Sequence, residues 1–439
     1  MEHEINWKQI TEEAASTLSS YIKINTTNPP GNEREAAEFL AGILRRESFE
    51  PEVLRFNDRR SNLVCRFKGS GSDKPLLLLS HMDVVGAVAS DWEVAPFSGA
   101  IKGGYVWGRG AIDCKGPGVM ELMAFLMLKR AGVTPKRDIL LLANADEEAG
   151  GGAGAAWVVE NHWDKVAAGF VLNEGGVGIS GTYGHDLMMP CFGEKGPLWI
   201  QLKARGESGH GSMPTPDNPN NRMAAALARI ARYDTRIKLM PEVRDVLLTI
   251  GKTMKFPASL IAPLVVNGPV LNVFRKRLNR SRKINAILRN TISITNIRAG
   301  FKENVIPSEC DAVLDCRLLP GEDKDGFLEE LKGVIADPDI EMKVMQYHSP
   351  SLSPASDGFM QALRKVVSRN NPDAVFLPML APGYTDSRFF REKGAIAYGL
   401  VPCLFAQEEI DSMHGTNERI SMRCLEDGIR NIFDMCAGF

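Results

Sequence analysis

Five side chains that bind metal ions well stand beside hydrophobic runs in this chain. Leu76-Leu77-Leu78-Leu79 leads into Ser80-His81-Met82-Asp83, and Ile139-Leu140-Leu141-Leu142 into Asn144-Ala145-Asp146-Glu147-Glu148. Phe170-Val171-Leu172 leads into Asn173-Glu174-Gly175-Gly176. Asp113 ends the stretch Trp107-Gly108-Arg109-Gly110-Ala111-Ile112-Asp113, and His414 lies far downstream in Met413-His414-Gly415-Thr416. In α/β proteins ligands bind beyond the carboxyl ends of strands. His81, Asp113, Glu148, Glu174 and His414 are therefore candidates for a metal site. Five such donors exceed what one tetrahedral ion takes. Two ions sharing one carboxylate fit the count, and paired ions activate water.

The elements that must hold these residues read as alternating helices and strands. Helical periodicity covers about 5–24 and 33–47, separated by the breaker Asn28-Pro29-Pro30-Gly31. Strands are expected near 51–56 and 62–68 and at the three hydrophobic runs, with a helix near 118–131. This alternation implies a mixed or parallel α/β sheet covered on both faces. From about 194 the pattern changes to a strand (198–204), a helix (221–233), two strands (292–297 and 312–318), a helix (324–335) and a strand (340–346). The end of the chain reads as a helix with Ser421 as its N-cap.

The 439 residues leave room for two domains, or one with a large insertion. A net charge of −2 gives no electrostatic footprint for nucleic acid. The first residues carry no basic-then-apolar pattern of a secretory signal, and the eight cysteines show no CxxC spacing. Together these suggest reduced thiols and a cytoplasmic location. One segment departs from bland composition. The apolar, proline-broken stretch 256–274 is followed by a basic run to 283. It reads as lid helices with a solvated basic face, or as a surface for acyl chains or a membrane; its prolines argue against a spanning helix.

The segments SHMDVV, GRGAIDCKG, DEEAGG, NEGG, GHGSMP, NVIP, DCRLLP, GYTDSR and MHGTNE occur in this order from about residue 80 to 418. This series resembles the M20 family of metallopeptidases, which holds aminoacylases, carboxypeptidases, desuccinylases and dipeptidases. The stretch Trp92 to Ile101 and the long insertion near 235–295 resemble its branch of carboxypeptidase S and N-fatty-acyl-amino-acid hydrolases. The resemblance implies a mixed-sheet zinc-peptidase catalytic domain in two parts, 1–193 and 349–439. Between them, 194–348 would form an inserted ferredoxin-like α+β lid and dimerisation domain, making a homodimer.

The resemblance also implies roles. Asp113 would bridge two divalent ions, Zn²⁺ first and Mn²⁺ or Co²⁺ as alternatives, with His81 and Glu174 on one ion and Glu148 and His414 on the other. Asp83 would orient a metal-bound imidazole, and Glu147 would be the general base. His210 would reach the partner subunit's site and stabilise the oxyanion. Asn304, Arg317 and Arg388 would bind substrate carboxylate or carbonyl groups. Many relatives carry Asp or Asn where this chain has Cys114, which is not expected to ligate, and their peptide after the bridging aspartate is cis. The implied activity is hydrolysis of an N-acyl amino acid or a C-terminal peptide bond. The alternatives are a metal-dependent dipeptidase or aminopeptidase, and a non-catalytic metal-binding dimer.

Overall fold

The computed structural model describes residues 5–182, 184–253 and 282–439. The reading of 256–283 as an acyl-chain or membrane surface thus falls almost wholly outside the described residues. The chain forms two compact units, one of residues up to Phe192 with Ser353–Met379 and Thr385–Phe439, the other of Gly193–Leu352 with Leu380–Tyr384.

The first unit is built on a large mixed sheet. Its strand order runs Glu52–Arg55, Ser61–Phe67, Arg137–Asn144, Asp73–His81, Phe170–Thr182, Ile396–Phe405. The last four are mutually parallel where they pair, and the first two are antiparallel additions at one edge. The parallel strands read as unbroken hydrophobic runs because both sheet faces are covered. Leu77, Leu79, Leu140, Leu142, Val171 and Ala397 pack on one side with Val158, Val166 and Phe390. Helices Lys115–Arg130 and Met422–Gly438 pack together and against strands Asp73–His81 and Ile396–Phe405. Lys115–Arg130 is apolar nearly all round and buries thirteen of its residues, as a helix sandwiched between a sheet and another helix must. Met422–Gly438 starts at Ser421, whose side chain accepts from the Cys424 N–H, the cap expected from the sequence.

One element corrects the sequence reading. Glu174 does not follow its strand but lies inside it, since Phe170–Thr182 runs on unbroken. The pairing with Ile396–Phe405 slips there: Gly399 faces Asn173 while Val401 faces Val177. Gly175, at φ +107°, sits in this irregularity, a backbone that disfavours other residues. Glu174 stands beside this irregularity, the kind of bulge that re-aims side chains next to sites.

The second unit is a four-stranded antiparallel sheet ordered Thr291–Ala299, Glu309–Leu318, Gly196–Arg205, Glu341–Tyr347. Leu198, Ile200, Leu202 and Ala204 alternate with Trp199, Gln201 and Lys203 and are fully buried. They meet Met223 and Leu227 of helix Pro219–Arg232, and Phe327 and Leu331 of helix Lys324–Ile335. The strand–helix–strand–strand–helix–strand succession gives a ferredoxin-like topology, with the helix Pro241–Thr253 added. A separate two-stranded ladder pairs Gly209–His210 with Val305–Ile306.

Candidate metal centre

His81 closes its strand and is 3% exposed. Its Nδ1 faces the Asp83 carbonyl oxygen at 2.9 Å. A carbonyl can only accept, so Nδ1 carries a proton, which leaves Nε2 as the nitrogen that would present its lone pair to a bound ion. Nε2 lies 2.9 Å from Asp113 Oδ1 and 3.5 Å from Glu174 Oε1. On the other side, His414 Nε2 lies 3.0 Å from Asp113 Oδ2 and 3.3 Å from Glu148 Oε1. Asp113 thus turns one oxygen to each of two histidine–glutamate pairs.

Two buried carboxylates fix the loops that carry these groups. Glu418 accepts from the backbone N–H groups of Gly110, Ile112 and Asp113 at 3.2, 2.8 and 3.2 Å, and from Arg109 Nη1 at 2.5 Å. Arg109 Nη2 donates to the Gly415 carbonyl at 2.9 Å, so one ion pair ties the Asp113 loop to the His414 loop. Asp83, fully buried, accepts from the N–H groups of Glu147 and Glu148, both at 3.1 Å, and from Asn28 Nδ2 at 2.8 Å. The sequence reading set this carboxylate on the imidazole, and its Oδ1 lies 3.5 Å from His81 Nδ1. The same carboxylate also holds the two backbone N–H groups, while the Asp83 carbonyl makes the shorter contact with His81. Asp146 adopts φ +67°, uncommon for a residue with a side chain. It is held there by Arg60 and by Asn28 Nδ2. The Asp113–Cys114 peptide is cis, as the resemblance implied.

The electrostatics show what this cluster needs. Burial and the Asp113 carboxylate push Glu174 up to about 7, and burial and Glu174 push Glu147 well above the carboxylate range. Burial would raise Asp113 too, but hydrogen bonds from His414 and His81 outweigh it and hold it far below its usual range. Those contacts in turn raise His414 to about 10, through Asp113 first and Glu148 second. Without a cation, protons alone balance the crowded carboxylates. Glu148 Oε1 is buried without a hydrogen bond. Imidazole nitrogens with carboxylate oxygens suit divalent Zn²⁺, Mn²⁺ or Co²⁺, and such ions replace those protons. The donor set fits two divalent ions.

The profile of peptidase family M20/M25/M40 matches residues 77–437. The chain belongs to the M20 family. It is 33% identical to the N-fatty-acyl-amino acid synthase/hydrolase of Xenopus tropicalis over 380 residues, 82% of this chain and 72% of that one. The human N-fatty-acyl-amino acid synthase/hydrolase is 30% identical, with 84% and 75% covered. Among solved structures, an M20 metallo-carboxypeptidase from Sulfolobus solfataricus superposes with a TM-score of 0.75 at 19% identity, covering 97% of this chain and 98% of that one.

As an M20 member the chain is a hydrolase of the metallopeptidase and amidohydrolase type. No helix among the described residues is long and apolar enough to cross a membrane, and all eight cysteines are buried. In the second unit the M20 motif residues His210 and Asn304 come together. His210 pairs with Val305 in the short ladder, and the Gly211 N–H donates to the Asn304 carbonyl at 2.8 Å. Both side chains are exposed, and His210 Nδ1 lies 2.7 Å from Ser212 Oγ. Arg317 makes a two-point pair with Asp315 at 2.7 and 2.9 Å and lies over the Tyr384 ring. Arg388, by contrast, is 2% exposed and donates to the carbonyls of Gly150 at 2.7 Å and Thr385 at 3.3 Å.

Sequence reasoning did not find Arg109, Glu418, Asn28 or Arg60. Two of these had a visible signal: Glu418 ends the motif containing His414, and Asn28 opens the breaker Asn28-Pro29-Pro30-Gly31. Arg60 had none, since its partner Asp146 lies 86 residues away.

Proposed function

We propose that this chain is a metal-dependent amidohydrolase that cleaves N-acyl amino acids, long-chain acyl groups among them, or peptides with a free C-terminal carboxylate. The observation that carries the reading is the division of Asp113 between the two histidine–glutamate pairs. Identity to N-fatty-acyl-amino acid hydrolases supports the acyl preference. His81 and Glu174 would hold one ion, Glu148 and His414 the other, with Asp113 between them. Zn²⁺ is the first choice, with Mn²⁺ or Co²⁺ as alternatives. When bound, such ions supply Lewis acidity toward the amide carbonyl and lower the pKa of water.

The chain's own residues do the rest. Glu147, unused by the ligand pairs, takes the proton of the attacking water and returns it to the leaving amine. Asp83 fixes the backbone of Glu147 and Glu148, so that base and ligand point apart. His210, on the exposed ladder of the second unit, donates to the developing oxyanion of the partner subunit's substrate in a homodimer built through 194–348. Asn304 and Arg317 bind the substrate's carbonyl and carboxylate. Arg388, its guanidinium engaged by Gly150 and Thr385, braces the turn after Glu148.

The test is a panel of N-acyl amino acids of varied chain length, with free and N-blocked dipeptides, assayed alongside metal analysis. Hydrolysis of N-acyl substrates and blocked peptides, lost on chelation and restored by Zn²⁺, Mn²⁺ or Co²⁺, is the expected result. Turnover of substrates with a free amine alone would overturn it in favour of a dipeptidase or aminopeptidase.

A further inference from the structure

We infer that Cys114 is a metal donor whose thiolate joins His81 and Glu174 on one of the two ions, an assignment that rests on the dinuclear reading above. The family resemblance led to the opposite expectation, that Cys114 does not ligate. The structure brings Cys114 Sγ together with a ligand atom of His81 and one of Glu174, all within 4.8 Å of one another. Zinc–sulfur and zinc–nitrogen bonds of about 2.3 and 2.0–2.1 Å at a tetrahedral angle set donors of one ion about 3.6 Å apart. His81 Nε2 and Glu174 Oε1 already stand at 3.5 Å, and a sulfur shift of at most about an ångström completes the set.

The state of the thiol is the second observation. Cys114 is fully buried, and no hydrogen bond of its thiol is found among the described residues. A thiol packed for structure alone would sit among apolar groups. This one faces an imidazole and a carboxylate that themselves await a cation. The ion takes the sulfur lone pair as the thiol proton leaves to solvent. The two positions of the centre then become unequal. The one with Cys114 is the softer and favours Zn²⁺ over Mn²⁺, while the Glu148–His414 position keeps only nitrogen and oxygen donors.

The experiment strips the full-length protein with a chelator, reloads it with Co²⁺, counts the ions and records the near-ultraviolet spectrum. Wild type is expected to bind two Co²⁺ and to show a sulfur-to-cobalt charge-transfer band. Cys114→Ser should lose the band and release one ion roughly ten- to a hundredfold more readily, the range seen when groups around a metal are removed. If the serine protein does not fold, Cys114→Asp, the residue of many relatives, should fold, bind two ions and lack the band. Two bound ions without a band in wild type would overturn the assignment and leave the dinuclear reading standing. A band that persists in the folded variant would assign the sulfur to another cysteine and overturn it equally. Fewer than two ions in wild type would overturn the reading on which it rests.

Discussion

The two motif-bearing regions of this chain are built on opposite plans. In the first unit, His81, Asp83 and Glu418 are at most 3% exposed, and the Asp83 and Glu418 carboxylates accept from the backbone N–H groups of Gly110, Ile112, Asp113, Glu147 and Glu148. In the second unit, His210, on a ladder of two residue pairs, and Asn304, just before that ladder's second strand, are exposed. The difference follows from what each must handle. Buried like charges cannot be left to rearrange, because each unpaired one is costly in low dielectric, so the loops around the carboxylates are bound to each other. A donor that meets charge only during reaction needs a defined backbone and an open side chain.

This contrast can be broken most directly at Asp113. Asp113→Ala removes the group that faces both histidines, so hydrolysis should fall to background and bound metal from two ions to one or none. The measurement is elemental analysis beside the substrate panel. Full activity with one ion bound would mean that the two pairs do not form one centre. Next in size is Glu147→Gln, which keeps shape and loses the proton acceptor. Turnover should drop roughly 10²–10⁴-fold while the metal stays, whereas Glu148→Gln should lose metal. The reverse result would exchange the roles of the two neighbours.

The exposed region gives a smaller and different signature. His210→Ala should cost roughly 10²–10³-fold in kcat, the weight of one oxyanion donor, with unchanged metal content and thermal stability. Mixed with Glu147→Gln and allowed to exchange subunits, it should recover part of the activity if His210 serves the partner's site. Each mixed dimer then holds one site with both groups. No recovery despite proven exchange would confine His210 to its own chain.

The sequence was most legible where one element carries the message. The hydrophobic runs ending in His81 and Asn144 are strands, the alternation at 198–204 is a half-buried strand, and Ser421 caps its helix. Relations between distant residues were not legible. The bulge at Gly175 arises from pairing with Gly399, and the Arg109–Glu418 pair spans 309 positions. Local periodicity carries no information about either. Asp83 shows the same limit on a finer scale. Its spacing from His81 suggested a carboxylate–imidazole contact, found at 3.5 Å, and only the fold reveals that the N–H groups of Glu147 and Glu148 share the carboxylate.

The smallest expected effect concerns stability and separates the regions without any assay of activity. Glu33 is fully buried, its nearest cation being Arg60 Nη1 at 3.6 Å from Oε1. Burial first and Asp83 second push its carboxyl up to about 7. The unfolded chain releases this proton near the ordinary glutamate value of 4.5, while the folded chain keeps it to about 7. Between those values the native state binds more protons than the unfolded one. This group therefore makes stability fall as pH rises, by up to about 1.4 kcal/mol per pH unit, with no further change above the window. Glu33→Gln mimics the protonated form and should remove that fall. Denaturant unfolding of both proteins across the window, with and without added metal, should show the variant gaining on wild type as pH rises and then holding a constant lead. A Glu33→Gln advantage that is flat with pH would show that the carboxyl is already ionised in the fold, and that Arg60 balances it rather than a bound proton.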